Sequence, residues 1–579
     1  MIRISDFSFS FPNKDLYENI SFELEKKQHC AFIGASGSGK STLIEMILDE
    51  DKYHYSGLID IDPACRIGYM SQFIDASEAS STSVFDFIAE DFIRYQKEIE
   101  DICEKMAETS DLDDLLEDYQ NTLDAFQAIG GDDFESIIHK KLGLASLMKH
   151  RDLLISEISG GEFKLIQVIK EMLTHPDVMI MDEPDVFLDF ENLEALKNLI
   201  NGHKGILLVI THNRYLLNHC FNKIIHLENK ALQSFDGSYI QYNFTLLESK
   251  IELQELAIAD QEEIERNEEL IRQLRLNATY SSEAAKGRSL RARVKYQERL
   301  EARQIQAPFV DIKQPNIILE CEDDLEEVTA IKITDLRVDF DENLLDHVNL
   351  DIKSTDKVAL IGSNGTGKTT LLRKIIENGH SVDIHENVNM AYLSQIQGET
   401  LNNDDTIYDA FFDAGFDSFS QIKSYLFNYG FEEDILEHEI GDLSGGEKNI
   451  LQLAKVCGQK ANMLLLDEPT SHLDTYAQIA LEEAIKNYKG GILMISHDYY
   501  TIANSVDYVL IIEDKTVRKM TNRKFRQMIY KNHYNKDYLI MEQEKKALET
   551  QIALALKATK FERAKLICEE LSVLIEKMK

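Results

Sequence analysis

The sequence predicts an α/β fold laid down twice along a chain of 579 residues, with helical additions between and after the two copies. Two observations carry that expectation. Short apolar runs such as Gly205-Ile206-Leu207-Leu208-Val209-Ile210 and Met463-Leu464-Leu465-Leu466 alternate with helix-compatible segments, the pattern of parallel strands buried on both faces. In addition, each half carries one glycine-rich loop between strand and helix, Gly34-Ala35-Ser36-Gly37-Ser38-Gly39-Lys40-Ser41-Thr42 and Gly362-Ser363-Asn364-Gly365-Thr366-Gly367-Lys368-Thr369-Thr370. The chain is too long for a single core and suits two large domains with extras.

Each element of the repeat has a chemical reason. In both loops the glycines let backbone N–H groups wrap phosphates at the positive end of the following helix. Lys40 and Lys368 are placed to neutralise β- and γ-phosphate charge, and the hydroxyls of Ser41 and Thr369 to ligate Mg²⁺. Asp182 and Asp467 each end a four-residue apolar run, which aims a carboxylate at the same metal. Glu183 and Glu468 follow directly and can polarise an attacking water, the general-base step of ATP hydrolysis. His212 and His497 stand 30 residues beyond each Asp, at the end of a further buried strand, where an imidazole can contact a γ-phosphate. A lone histidine there would read as packing; the same offset in both halves argues for function.

Ser159-Gly160-Gly161-Glu162 and Ser444-Gly445-Gly446-Glu447 lie 23 residues before Asp182 and Asp467. With the motifs above they resemble the signature loop of ATP-binding cassette proteins. The resemblance implies two composite sites. One joins Lys40, Asp182, Glu183 and His212 to Ser444, Gly445 and Gly446; the other joins Lys368, Asp467, Glu468 and His497 to Ser159, Gly160 and Gly161. By the same resemblance Gln72 and Gln395 match glutamines that sense metal and water, and Phe11 and Phe340 are candidates to stack on adenine. The implied cofactors are ATP and Mg²⁺.

The repeat is not uniform. Lys40 and Lys368 are 328 positions apart, whereas Ser159 and Ser444, Asp182 and Asp467, and His212 and His497 are all 285 apart. The first half therefore holds 43 extra residues before its signature, most of them in a Pro-free, Glu/Asp/Leu-rich insertion at about 92–131 that reads as a helical arm. Within it, Asp101 to Asp124 is strongly acidic. The expected organisation is a first cassette over 1–242, a charged helical hairpin linker over 243–327, a second cassette over 328–520 and a basic, then helical, extension over 521–579. Ser238 to Lys286 contains no Gly or Pro, and Ile264, Ile271 and Leu274 recur at helical spacing. A turn-like stretch from Asn277 to Ser282 and a second charged helix from about Ala284 to Arg303 complete the hairpin, with Pro308 and Pro315 at its exit. Leu548 to Met578 reads as a further helical hairpin.

Two cassettes on one chain, an arm in the first and a charged helical linker together resemble the ABC-F family. The second half reads Asp467-Glu468-Pro469-Thr470-Ser471-His472-Leu473-Asp474, close to that family's wording. The first departs from it, with Asp185-Val186-Phe187 between Pro184 and Leu188-Asp189 near the closing interface. The resemblance implies an ATPase that binds the ribosome near the exit-tRNA site, touching rRNA and tRNA, and acts as a translation factor on stalled or initiating ribosomes. Antibiotic target protection on the ribosome is the neighbouring alternative. A motor subunit of a membrane transporter and a DNA-structure-binding ATPase are alternatives of other classes.

Composition constrains those partners. Against 62 Lys and Arg stand 102 Asp and Glu, a net charge of −40 that repels nucleic acid at long range. Polyanion binding must then come from local patches. From Lys286 to Arg303 seven basic residues face only Glu298 and Glu301, and Arg288, Arg291, Lys295 and Arg299 fall on one helical face. A second basic stretch runs from Lys515 to Lys536 without an acid. Phosphate contacts of this kind give affinity without reading sequence. No apolar run is long enough to span a membrane. Seven scattered cysteines without a CxxC pair suit reduced thiols. With a start at Met1 to Asp6 already in a strand pattern, the reading is a cytoplasmic monomer whose cassettes pair within one chain.

Overall fold

The computed structural model describes residues 2–12, 14–63, 65–71, 81–108, 113–279, 293–296, 315–321, 327–339, 343–431, 435–533 and 536–578. They form two compact units, one of Met1–Asp236 with Gln314–Arg526 and one of Gly237–Lys313 with Gln527–Lys579.

The first unit contains both cassettes. Each is built on a six-stranded sheet of the same order: Ile67–Met70, Val178–Asp182, Ile206–Ile210, His29–Ile33, Lys223–Glu228 and Ala231–Asp236 in the first, and Met390–Leu393, Met463–Asp467, Gly491–Ile495, Lys357–Ile361, Tyr508–Glu513 and Thr516–Thr521 in the second. All neighbours are parallel except the last pair. Every residue of Val178–Asp182, Ile206–Ile210, Met463–Asp467 and Gly491–Ile495 is buried, which is why these strands lack polar alternation. Asp182 pairs with Ile210, and Asp467 with Ile495, at the carboxyl edge of each sheet. Ile33 and Ile361 reach that edge too and run into the glycine loops. Ligands of open parallel sheets bind beyond this edge.

A three-stranded antiparallel sheet covers each core: Lys14–Leu24, Ile2–Phe11 and Ser56–Ile61 in the first cassette, and Asn343–Lys353, Thr329–Asp339 and Val382–Ile384 in the second. In the first, Phe7, Ile20, Phe32, Leu43, Ile44 and Leu208 join both sheets and the helix Lys40–Leu48 in one core. In the second, Val338, Val348, Leu360, Leu371, Leu372 and Leu493 do the same. The insertion in the first cassette is helical at Glu90–Glu108 and Asp113–Ala128, which pack on each other. Phe92 stacks on Phe134 with ring centroids 4.9 Å apart and ties the arm to the helix Phe134–Leu144.

The second unit is helical. Tyr239–Thr279 is a single helix of 41 residues, on the order of 60 Å long at 1.5 Å per residue. The C-terminal hairpin pairs Lys536–Lys557 with Phe561–Met578, so its first helix begins before the Leu548 that the sequence pattern marks. The two bury Ile552, Ala564, Leu571 and Ile575 against Ile251 of the long helix, and Lys565 pairs with Glu255 at 2.6 Å. Residues 293–296 return along the long helix. There the Asn267 amide donates to the Arg293 carbonyl and the Arg293 guanidinium donates to the Asn267 amide oxygen, both at 3.3 Å. Most of the charged return helix expected from about Ala284 to Arg303 lies outside the described residues.

Candidate active site

The two glycine loops have the same backbone. Gly37 and Gly39 lie at φ 72° and 99°, and Gly365 and Gly367 at 78° and 91°, left-handed values that strain any residue with a Cβ. Each loop wraps its own lysine. Lys40 Nζ donates to the carbonyls of Gly34 and Ala35 at 3.0 and 2.9 Å, and Lys368 Nζ to those of Gly362 and Ser363 at 2.8 and 2.9 Å. Both ammonium groups are buried and held at the N-terminus of the following helix, where backbone N–H groups and a positive dipole favour phosphate. The hydroxyls of Ser41 and Thr369 lie beside Asp182 and Asp467.

Burial pushes the Asp182 carboxyl up to about 6, against the pull of the Ser41 hydroxyl. Burial also raises Asp467, and both of its carboxylate oxygens lack a hydrogen-bond partner among the described residues. An orphaned buried carboxylate is costly, and a divalent cation is the group that would satisfy it. Among the described residues no cluster of three His, Cys, Asp or Glu could hold a metal. The cation that fits here is therefore one held by a hydroxyl, one carboxylate and phosphate oxygens, as Mg²⁺ is in nucleotide sites.

Glu183 and Glu468 sit at φ 47° and 52°, a left-handed conformation rare outside glycine and repeated at the same place in both cassettes. Each backbone N–H is pinned at 3.0 Å to the neighbouring strand, on Ile210 and Ile495. Burial and then Asp467 push the Glu468 carboxyl above its ordinary range. Burial would raise Glu183 as well, but the His472 ring, with its Nδ1 3.4 Å from Oε2, His212 and Lys40 together hold the carboxyl below that range. His497 Nε2 lies 3.4 Å from Glu468 Oε1. Burial and then Lys368 lower His497 to about 3, and burial and then Lys40 lower His212. Both imidazoles are thus neutral at pH 7, each able to donate one hydrogen bond.

The signature loops are helix caps. Ser159 Oγ accepts from the Glu162 N–H at 3.3 Å while the Glu162 carboxylate accepts from the Ser159 N–H at 2.9 Å; Ser444 and Glu447 repeat both distances. Each cap faces the glycine loop of the other cassette. Ser36 Oγ is 3.4 Å from Ser444 Oγ, and a Cβ on Gly446 would stand 2.2 Å from Ser36 Oγ. A Cβ on Gly161 would stand 3.1 Å from Asn364 Nδ2. Two aspartates complete the crossing. Asp474 caps its helix through the Ala477 N–H at 2.8 Å and accepts from the Ser36 N–H at 3.3 Å. Asp189 caps its helix through Asn192 at 3.0 Å and accepts from the Asn364 N–H at 2.9 Å. The glycine loop of each cassette thus meets the signature loop of the other.

Around Lys368 the crossing encloses a cavity of about 730 Å³ lined by Ser159, Gly161, Thr369, Gln395, Asp467 and Glu468, among others. This is within the size range of small-molecule sites.

A sequence model of the ABC transporter family matches residues 17–186 and 345–471. ABC transporter F family member 2 of Arabidopsis thaliana is 29% identical over 542 residues, covering 89% of this chain and 76% of that protein. The uncharacterized ABC transporter ATP-binding protein YfmM of Bacillus subtilis (strain 168) is 29% identical over 522 residues, covering 86% of this chain and 96% of that protein. The chain belongs to the ABC-F family of tandem ATP-binding cassette proteins. Its fold is also similar to a solved chain described as a model of ribosome-bound archaeal Pelota and ABCE1, with a TM-score of 0.56, 14% identity, and coverage of 91% of this chain and 80% of that one. Among its described residues no helix is long and apolar enough to cross a membrane.

In this ABC-F chain the remaining expected residues fall as follows. Phe11 is 39% exposed, at the end of a hairpin whose Lys14 reaches the Gly37 carbonyl at 3.2 Å, and it packs edge-on against Phe9 and Tyr53. Gln72, Phe340, Arg288, Arg291 and Arg299 lie outside the described residues, and Lys295 is exposed on the helical segment 293–296. Three groups that the sequence reading leaves without a role belong to the interface: Asp189 and Asp474, His472, and Arg214. The Leu-Asp pair repeated at the 285-residue offset is a signal for the aspartates. Nothing comparable marks Arg214, whose partners are 268 and 284 residues away.

Proposed function

We propose that this ABC-F chain binds and hydrolyses two ATP molecules at the cassette interface and uses the cycle to control binding to the ribosome, as a translation factor on stalled or initiating ribosomes near the exit-tRNA site. The reciprocal crossing carries the reading: Ser36 on Ser444 and Asp474, and Asn364 on Asp189. A triphosphate seated on one glycine loop then bridges to the signature of the other cassette, so binding favours the closed pair. Lys40 and Lys368 hold the phosphates, Ser41 with Asp182 and Thr369 with Asp467 would hold Mg²⁺, and Gln72 and Gln395 would flank it. Bound there, Mg²⁺ neutralises charge on the phosphoryl oxygens. Glu183 and Glu468 orient and deprotonate the attacking water, and the neutral His212 and His497 donate to the phosphate end. Phe11 and Phe340 would stack on adenine.

The ribosomal partner is supported by family membership, by a fold neighbour whose description is ribosome-bound, and by a basic face in a chain of net charge −40. Arg288, Arg291, Lys295 and Arg299 supply phosphate contacts to RNA. Replacing all four by Gln is expected to weaken ATP-dependent co-sedimentation with ribosomes and to reduce the slope of log affinity against log salt by about 3, since each phosphate contact contributes about 0.7 to 0.9. An unchanged slope would place the contact elsewhere. Wild-type protein that pellets with branched DNA but not with ribosomes in the presence of ATP would overturn the ribosomal assignment.

A further inference from the structure

The two sites differ where the cassettes meet. His472 and Phe187 occupy the same position of the repeat and the same left-handed backbone, at φ 58° and 66°. His472 crosses to the first cassette, with its Nδ1 3.4 Å from Glu183 Oε2, and both residues line one small chamber of about 70 Å³ between the sites. Phe187 presents a hydrocarbon ring with no donor or acceptor and packs edge-on against His472, at 5.6 Å and 79°. Glu468 is instead contacted by His497 of its own cassette.

The difference is reinforced beneath the loops. In the first cassette Lys164 Nζ donates to the carbonyls of Glu183 and Val186 at 2.9 and 3.4 Å, and Thr211 Oγ1 donates to Asp185 at 2.7 Å. The second cassette has Asn449, Thr470 and Ser496 in these places. There the Asn449 amide donates to the Ser471 carbonyl, and the Thr470 and Ser496 hydroxyls lie 3.3 Å apart. A charged lysine thus fixes the loop that carries Phe187, and a neutral amide fixes the loop that carries His472. The Phe187 carbonyl is further clamped by the Asn364 amide at 3.0 Å, which ties that loop to the glycine loop of the Lys368 site.

We propose that His472 is a positioning residue for hydrolysis in the Lys40 site, and that the Lys368 site, with Phe187 in its place, turns over more slowly and holds the cassettes together. A general base acts only from the right place, and misplacement of about 1 Å can cost about 10²-fold. A ring nitrogen aimed at one carboxylate oxygen of Glu183 limits the rotation of the carboxylate. Among the described residues no histidine of the first cassette makes such a contact with Glu468.

The inference rests on ATP hydrolysis by both cassettes, and its test keeps the two apart. Steady-state ATP hydrolysis is measured for the full chain and for His472→Ala, each alone and combined with Glu183→Gln or Glu468→Gln. His472→Ala is expected to lower kcat at least tenfold with KM for ATP changed less than threefold. The same loss is expected in the Glu468→Gln background, and less than a twofold loss in the Glu183→Gln background. His472→Asn, whose amide nitrogen can replace Nδ1, should recover at least threefold of the rate. Equal losses in both backgrounds, an unchanged kcat, or no recovery by Asn in a protein that unfolds normally would overturn the positioning role. Wild-type protein that hydrolyses no ATP would instead overturn the reading beneath it.

Discussion

The Glu183→Gln/Glu468→Gln double variant is expected to lose about 10²- to 10⁴-fold of its ATP hydrolysis, the range of a general base, while still binding ATP. That is about 3 to 5 kcal/mol of transition-state stabilisation, at 1.36 kcal/mol per tenfold. The amide keeps the shape of the carboxylate, so the crossing between the cassettes stays intact. Only the water step fails. The protein should therefore accumulate in its closed, ATP-loaded form and remain on ribosomes through a sucrose cushion at moderate salt, halting translation in an extract. A variant that hydrolyses ATP within threefold of wild type would remove both glutamates from the chemistry. One that binds ATP but sediments free of ribosomes would leave the chemistry standing and remove the partner.

Arg214→Met is expected to be the most damaging single change outside the nucleotide sites. The guanidinium is only 10% exposed and crosses from the first cassette into the second, where it pairs with Glu482 and, at 3.0 Å, with Asp498. It also donates to Thr501 Oγ1 at 3.3 Å and lies 5.0 Å over the Tyr500 ring, whose hydroxyl accepts from Asn218 at 2.8 Å. Burial alone would lower Asp498's affinity for its charge, but Arg214 reverses that and holds its carboxyl below the ordinary range. Methionine fills the space and leaves two buried carboxylates facing each other. Removing one partner of such a cluster costs about 3 to 5 kcal/mol. Denaturant unfolding should show that loss, and Arg214→Met/Glu482→Gln/Asp498→Asn should recover much of it. A loss under about 1 kcal/mol would mean that solvent reaches the cluster. Because Arg214 and Asp498 directly follow the His212 and His497 segments, the same variant should weaken coupling between the sites.

The parts legible in the sequence are those whose signal is local. A glycine loop between strand and helix, an acid at a strand end and a serine cap three residues before Glu162 or Glu447 are each readable within a dozen residues, and the repeat removes the ambiguity of any single one. The doubled sheet follows for the same reason. The crossing itself is not local. Asp189 and Asp474 read as ordinary helix caps, which they are, while their second carboxylate oxygen serves the opposite cassette. His472 and Phe187 gain meaning only when the loops are set against each other. Arg214 looks like one more surface charge until its partners, far along the chain, are brought to it. The C-terminal hairpin starts earlier than its apolar pattern suggests because Lys536–Lys557 continues as helix through polar residues before its buried face begins at Ile552.

Nucleotide occlusion distinguishes a crossed from an uncrossed pairing of the two cassettes. With photoreactive 8-azido-ATP, the Glu183→Gln/Glu468→Gln variant should label both cassettes. Adding Ser444→Arg, a change in the second cassette, should release the label from the first, because Ser444 faces Ser36 and not Asn364. Peptide mapping that shows label retained beside Lys40 and lost beside Lys368 would contradict the crossed arrangement.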